Sequence, residues 1–383
     1  MGTSRVLLLL YVLCALSGRA AAGEPAPTTG RLPEGARLVA VFPVENLSGR
    51  PAPLEDIRRM FAERLASHGL RVLDDATLER VITRHRVRYT AGIEQGFAKA
   101  LKQETGADTV LIASLELFDQ SIPPRVALFA RLVSTGEAPA VLWIDGTGAA
   151  GDDAPGILGI GVIEDPRTLL ARAVGTLSSS LVRRLADGRD GAGPGPRKFW
   201  PKLMYQAEAL DPARRHSIAI VPFFNKSARR YGGEIIALHM MRNLAAAPNL
   251  TVVEPGVVRE ELLRFRIIMS DGISLSDTET ILNAVNADLV LNGEVLEYQE
   301  RPWAGGAPLA DFALLFLERK TRRVVYSSYS ANAGDDRVFF FDWGKVNTAH
   351  AMVSRMARAI TGHLLLAPLA TEASRGARGV ERR

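Results

Sequence analysis

The sequence predicts an α/β protein with an α+β tendency, built as two tandem β-α-β-α-β-β-β-α domains, each a mixed sheet packed with helices. Three observations carry this reading. "VFPVENLS" at Val41–Ser48 returns as "IVPFFNKS" at Ile220–Ser227, an offset of 179 residues. Three further phrases return in the same order: "LRVLDD" (70–75) as "LTVVEP" (250–255), "ADTVLIASLE" (107–116) as "ADLVLNGEVL" (287–296), and "VLWIDGTGAAGDD" (141–153) as "VVYSSYSANAGDD" (324–336), where the offset has drifted only to 183. Ordered matches at a nearly fixed offset mark a duplication. Between the copies, "DGRDGAGPGPRKFWPK" (187–202) is rich in the residues that break regular structure. At 383 residues the chain exceeds what one ordinary core organises. The expected division is a signal peptide at 1–22, a first domain at 35–187, a linker at 188–213, a second domain at 214–367 and a disordered tail at 368–383.

Each element follows from pattern. "RLVAVFP" (37–43) is a short continuous apolar run, as in a buried central strand. The proline then spares a backbone donor that a turn does not need, and Asn46 or Ser48 can bond backbone before the next helix. Ile57, Met60, Phe61 and Leu65 fall at helical spacing, closed by Gly69. In the second copy Ile236, Met240 and Leu244 do the same. A short strand at Leu70–Leu73 leads to a helix bearing Leu78, Val81 and Ile82, with Arg80, Arg84 and Arg88 on its exposed face. Phe97–Glu104 makes another short helix. In "DTVLIASLELF" Ser114 and Glu116 alternate with apolar neighbours, as in a half-solvated strand. "RVALFARLV" and "AVLWIDG" flank Ser134–Pro139 as an antiparallel hairpin, and "ADFALLFLE" and "RVVYSSYS" flank Arg319–Arg322 likewise. Asp165-Pro166 opens the last helix of the first copy, Asp as cap and Pro in the first turn. Leu170, Val174, Leu177 and Leu181 supply its apolar stripe; Met352, Val353, Met356, Ile360 and Leu364 supply that of the second copy. Phe199 and Trp200 are expected to pin the linker to a domain surface.

The N-terminus has Arg5, an apolar run from Val6 to Leu16 and a small-residue site at Ala20-Ala21-Ala22, the layout of a secretory signal peptide. Eleven apolar residues are short for a membrane span. Cys14 is the sole cysteine and lies in this segment behind Tyr11-Val12-Leu13, a poor acylation pattern. Cleavage after Ala22 leaves no thiol for disulfides, nucleophilic catalysis or metal ligation. Net charge is +5, and of 47 basic residues only seven are lysine. Arg80, Arg84, Arg86 and Arg88, with Arg214 and Arg215, read as solvated helix faces, with contact to anionic glycans or phospholipid headgroups as the alternative; no nucleic-acid motif accompanies them.

The search for chemistry returns no catalytic, cofactor-binding or metal-ligating residues. Gly156–Gly161 lacks the spacing of a phosphate cradle, and its duplicate is "VFFFDWG" (338–344). Asp152-Asp153 and Asp335-Asp336 read as turns that end a strand. The six histidines show no ligand spacing, and His239, four residues after Ile235, is expected to pack. The expected protein contacts are the aromatic run Phe339, Phe340, Phe341 and Trp343, together with Asn46 and Asn225 at the carboxyl edges of the two sheets.

These pieces (Val41–Ser48, Leu70–Leu73 and Gly106–Ser114, then Ile220–Ser227, Leu250–Val253 and Ala287–Glu294) resemble the exported superfamily of the TolB N-terminal domain. CsgG-type curli secretion components, lipoprotein activators of peptidoglycan synthases, and polysaccharide-export and flagellar-ring components share that fold. The resemblance implies a non-catalytic periplasmic or outer-membrane-associated protein that binds or scaffolds envelope proteins. The residues themselves add that it is not lipidated, given the poor acylation pattern at Cys14, and that no nucleic acid or cofactor is expected. Homo-oligomerisation as a secretion or polysaccharide-export channel subunit is the alternative, and a cell-wall enzyme is third, with no motif behind it.

Overall fold

The computed structural model describes residues 38–153, 162–187, 195–207, 210–211, 213–267, 273–300, 306–336 and 345–365. The signal segment, the glycine run at 156–161, Phe339, Phe340, Phe341, Trp343 and the tail after 365 lie outside the described residues.

In the first repeat the strands are β1 (Leu38–Val41), β2 (Glu45–Asn46), β3 (Arg71–Val72), β4 (Thr109–Asp119), β5 (Arg125–Ser134) and β6 (Val141–Ala150). Its helices are α1 (Leu54–Ser67), α2 (Asp75–Arg84), α3 (Gln95–Thr105) and α4 (Pro166–Asp187). The sheet order is β3-β1-β4-β5-β6, with β2 paired to β4. Helical crossovers make β3, β1 and β4 parallel, and short connections make β4, β5 and β6 antiparallel. Gly69 stands at φ +81° just past α1, a conformation glycine adopts without strain. At the start of α4 the Asp165 carboxylate accepts from the Thr168 amide at 3.0 Å.

The second repeat follows the same plan. Its strands are β7 (Leu203–Gln206), β8 (His216–Ile220), β9 (Phe224–Asn225), β10 (Leu250–Val252), β11 (Leu289–Gln299), β12 (Leu309–Glu318) and β13 (Val324–Ala333). Its helices are α5 (Gly232–Ala246), α6 (Pro255–Arg264), α7 (Leu275–Ala284) and α8 (Ala349–Leu365). Sheet order is β10-β8-β11-β12-β13-β7, with β9 on β11. The extra edge strand β7 comes from the stretch between the copies and pairs antiparallel with β13 through Tyr329, Ser328, Ser327 and Tyr326. Just before it Phe199 is buried and Trp200 stacks edge-on against His363 at 4.4 Å. Among the described residues no helix is long and apolar enough to cross a membrane.

One face of the first sheet packs Val39, Leu111, Leu128 and Trp143 against Ile57 and Phe61 of α1 and Leu170 and Val174 of α4. Part of its other face carries Phe42, Val110 and Ile112 against Leu78 of α2 and Leu101 of α3. The remainder of that face carries Phe129 and Ile144, which join the core of the second repeat. Ser114 and Glu116, expected to be half-solvated, are therefore 1% and 0% exposed. Their period-2 pattern is real, but the solvent side is filled by α5 and α8. The described residues cluster as one compact unit.

Candidate functional site

The junction of the repeats is where the polar chemistry collects. Each Asn-x-Ser phrase forms a closed loop: Asn46 Oδ1 accepts from the amide and hydroxyl of Ser48, while its Nδ2 donates to the Arg50 carbonyl at 2.7 Å. Asn225 does the same with Ser227 and the Arg229 carbonyl. Such side-chain-to-backbone bonds are what asparagine and serine supply in turns. Asn225 thereby pins Arg229, whose guanidinium reaches the other loop and donates to the Ser48 carbonyl at 2.9 Å and to those of Leu47 and Glu116. Both asparagine amides bond within their own loops, and Arg229 makes a cross-repeat contact.

Beneath these loops lies a wholly buried cluster. Glu116 of β4 projects between the repeats. Its Oε1 accepts from the Tyr298 hydroxyl, its Oε2 meets His350 Nδ1, and His239 Nε2 stands 3.6 Å from that same oxygen. Glu116, His239, Tyr298 and His350 are all at most 3% exposed. Phe129 packs edge-on to His239 at 4.8 Å and tilted to His350 at 5.0 Å. Room for this comes from Gly146 and Gly148 of β6: a Cβ there would lie 2.5 Å from the Phe129 ring or 2.9 Å from His350. Burial pushes Glu116 up, but His350 and His239 together outweigh it and hold the carboxyl well below its usual range. Burial pushes His239 down to about 4, and burial together with the charge of Glu116 pushes Glu300 up to about 7. Glu300 accepts from the Ala349 amide at the start of α8, at 3.1 Å.

A second buried contact flanks the first. Arg131 of β5 forks onto Glu254 with bonds of 3.0 and 3.2 Å and donates to the Ala91 carbonyl. Burial disfavours its charge, but Glu254, with Tyr89 and Glu45, more than offsets this and raises the Arg131 pKa. Glu254 also accepts from the Ile93 amide, where the backbones touch: a Cβ on Gly256 would lie 2.4 Å from Ile93. Arg242 adds a 2.6 Å pair with Asp145.

Among the described residues, nothing covers the same sheet face of the second repeat. Strand pairing puts Glu294, Ala313, Tyr329 and Leu203 in one row, and Asn292, Leu315, Ser327 and Tyr205 in the next. With Phe224 and Ile273 they line a trough of about 620 Å³. Leu203 and Tyr205 are 69% and 56% exposed, and β7 forms the outer edge of the sheet. By register, Ala313 and Leu315 take the places that Phe129 and Arg131 hold in the first repeat, and Tyr329 and Ala331 replace Gly146 and Gly148.

The paired aspartates are structural: Asp153 Oδ2 accepts from the Ala150 amide and Asp336 Oδ2 from that of Ala333, each closing the strand end. Sequence reasoning missed Glu116, His350, Arg131, Glu254 and Arg229, because each is a common residue in an ordinary element. The one signal was the mismatch between copies, since Phe129 and Arg131 are replaced by Ala313 and Leu315 at equivalent positions.

No protein-family model matches the chain, and no curated protein matches it. Among solved structures, it is similar to a PelC dodecamer from Paraburkholderia phytofirmans at 14% identity, over 43% of this chain and 92% of that one, with a TM-score of 0.28. A lipoprotein from Neisseria meningitidis matches at 20% identity over 39% and 96% of the two chains, with a TM-score of 0.27. The LpoB C-terminal domain from Salmonella enterica matches at 16% identity over 37% and 93%, with a TM-score of 0.25. At these scores the likenesses bear no weight for function.

Proposed function

We propose that the chain is a non-catalytic, exported envelope protein that binds a folded protein partner through the open sheet face of its second repeat. The observation that carries this is the asymmetry of the duplication. In the first repeat the equivalent face is filled by α5 and α8, an apolar helix pair, whereas in the second the described residues leave a trough of about 620 Å³ open beside an exposed apolar edge. An exposed apolar surface of this kind marks an interaction site. The internal precedent supports an apolar helix of another protein as occupant.

A second copy is a poorer fit. The outward side of α1 and α4 carries exposed Glu55, Arg59, Glu63, Arg172 and Arg183, unlike α5, most of which is buried. The glycines that admit α8 onto the first sheet are Tyr329 and Ala331 in the second. The signal-like N-terminus supports export, and the resemblance of the repeated phrases to envelope domains supports the setting. The run Phe339, Phe340, Phe341 and Trp343 is proposed as a further contact on sequence grounds.

Site-specific photocrosslinking tests the reading. A photoreactive residue at Tyr205 or Leu203 is expected to yield a heteromeric adduct in intact cells, and one at Glu63 of α1 none. Adducts only between copies of the chain would favour the channel-subunit alternative. An absence of adducts from both β7 positions would overturn the docking face.

A further inference from the structure

We propose that Glu116, His239 and His350 hold a divalent transition-metal ion, zinc by preference, which locks the two repeats together. One donor atom from each residue lies within 4.8 Å of the other two, and all three residues are buried. Two imidazoles and one carboxylate form a donor set that suits zinc and its neighbours rather than magnesium or calcium, which take oxygen ligands. In a tetrahedral zinc site the ligand atoms stand roughly 3.3 Å apart. The 3.6 Å between His239 Nε2 and Glu116 Oε2 is close to that separation and too long for a hydrogen bond, whereas His350 Nδ1 is hydrogen-bonded to the same oxygen and would draw back to admit the ion.

The independent sign of a ligand is His239 itself. It is 0% exposed, and among the described residues neither of its ring nitrogens has a hydrogen-bond partner. A buried polar group left unpaired is costly, and native structures rarely keep one without a purpose. A cation between His239 Nε2, His350 Nδ1 and Glu116 Oε2 satisfies its Nε2. The surroundings are arranged as around a metal: Tyr298 holds the other oxygen of Glu116, which turns Oε2 toward the imidazoles, and Phe129 packs against both rings. Glu116 comes from the first repeat and both histidines from the second. The ion is therefore a structural clamp, bound as the repeats close on one another.

Because the ligands are buried, the test loads metal during refolding of the full chain from urea, with zinc alone as the probe and chelator as the control. The expected result is one tightly held zinc per chain by elemental analysis after gel filtration, with a higher Tm than the chelator-refolded protein. Cobalt refolded in its place is expected to show the visible bands of a tetrahedral complex. His239→Gln and Glu116→Gln should each weaken retention at least tenfold, while His85→Gln, at a half-exposed histidine elsewhere, should leave it unchanged. If a ligand variant fails to refold, Tyr298→Phe keeps all three ligands and is expected to retain zinc with reduced affinity. A wild-type chain that refolds to the same Tm without metal and retains none would overturn the proposal, as would zinc retention that His239→Gln does not change. The crosslinking at β7 is independent of either outcome.

Discussion

Arg131 and Leu315 occupy equivalent positions of the two sheets and meet opposite demands. Leu315 lines the open trough, whereas Arg131 is 2% exposed and forked onto Glu254, itself fully buried. Removing one partner of a buried pair leaves the other charged and unsolvated, a loss of about 3–5 kcal/mol. Arg131→Leu, which copies the second repeat into the first, should therefore lower unfolding free energy by that order in urea titration. Adding Glu254→Gln to it should recover a large part, because the stranded charge is gone. A single variant as stable as wild type would mean that water reaches Glu254. Asp288 gives a pH-dependent counterpart. Burial pushes its pKa up, but the Ser217 amide at 2.9 Å, the Ser217 hydroxyl and Arg214 outweigh it and hold it below the ordinary aspartate value. A depressed folded pKa contributes stability that is present above the unfolded value, about 3.9, and is lost as pH falls through the folded one. Wild type should therefore lose its advantage over Asp288→Asn as pH drops below about 4, measured by urea midpoints at successive pH values.

At the scale of elements, two glycines make opposed predictions from the same substitution. A Cβ on Gly146 would enter the Phe129 ring at 2.5 Å, and that ring is held between two buried histidines. Gly146→Ala should cost about 1–3 kcal/mol, as overpacking does. Gly175 sits inside α4, and nothing lies within 4 Å of where its Cβ would be. Gly175→Ala should stabilise by about 0.5–1 kcal/mol through helix propensity. Thermal denaturation of the two variants checks the sign of each. The elements themselves were legible because apolar periodicity and turn residues are local signals. The central strands, the hairpins and the Asp165 cap could be read from a few neighbouring residues. What covers a strand is not local. Ser114 and Glu116 alternate as in a solvated strand because their burial depends on helices more than a hundred residues away. Nor did a Gly/Pro-rich stretch disclose β7, whose four residues gain their conformation by pairing with β13. His239 and His350 are 111 positions apart, so no spacing rule could join them.

For the whole molecule, the question is whether the duplication yields two independent folding units or one. Sequence gives two, since each copy holds a full set of strands and helices. The junction argues for coupling. If the second repeat unfolded alone, Glu116, Phe129, Arg131 and Ile144 of the first would lose their partners at once. Arg229 would release three carbonyls of the first repeat, and Asp145 would lose Arg242. Two long core strands and one face of a sheet would then be stripped of their cover, which is unfavourable for the repeat left behind. We therefore expect one cooperative transition in urea, with amide exchange in β4–β5 and in β11–β12 sharing a single opening free energy. Arg229→Ala should lower that shared value in both repeats, although the side chain belongs to the second. Exchange that collapses in β11–β12 while β4–β5 keeps its protection would show that the repeats fold separately. The junction would then be a docking contact between finished domains, and the open face of the second repeat would be its unfilled equivalent.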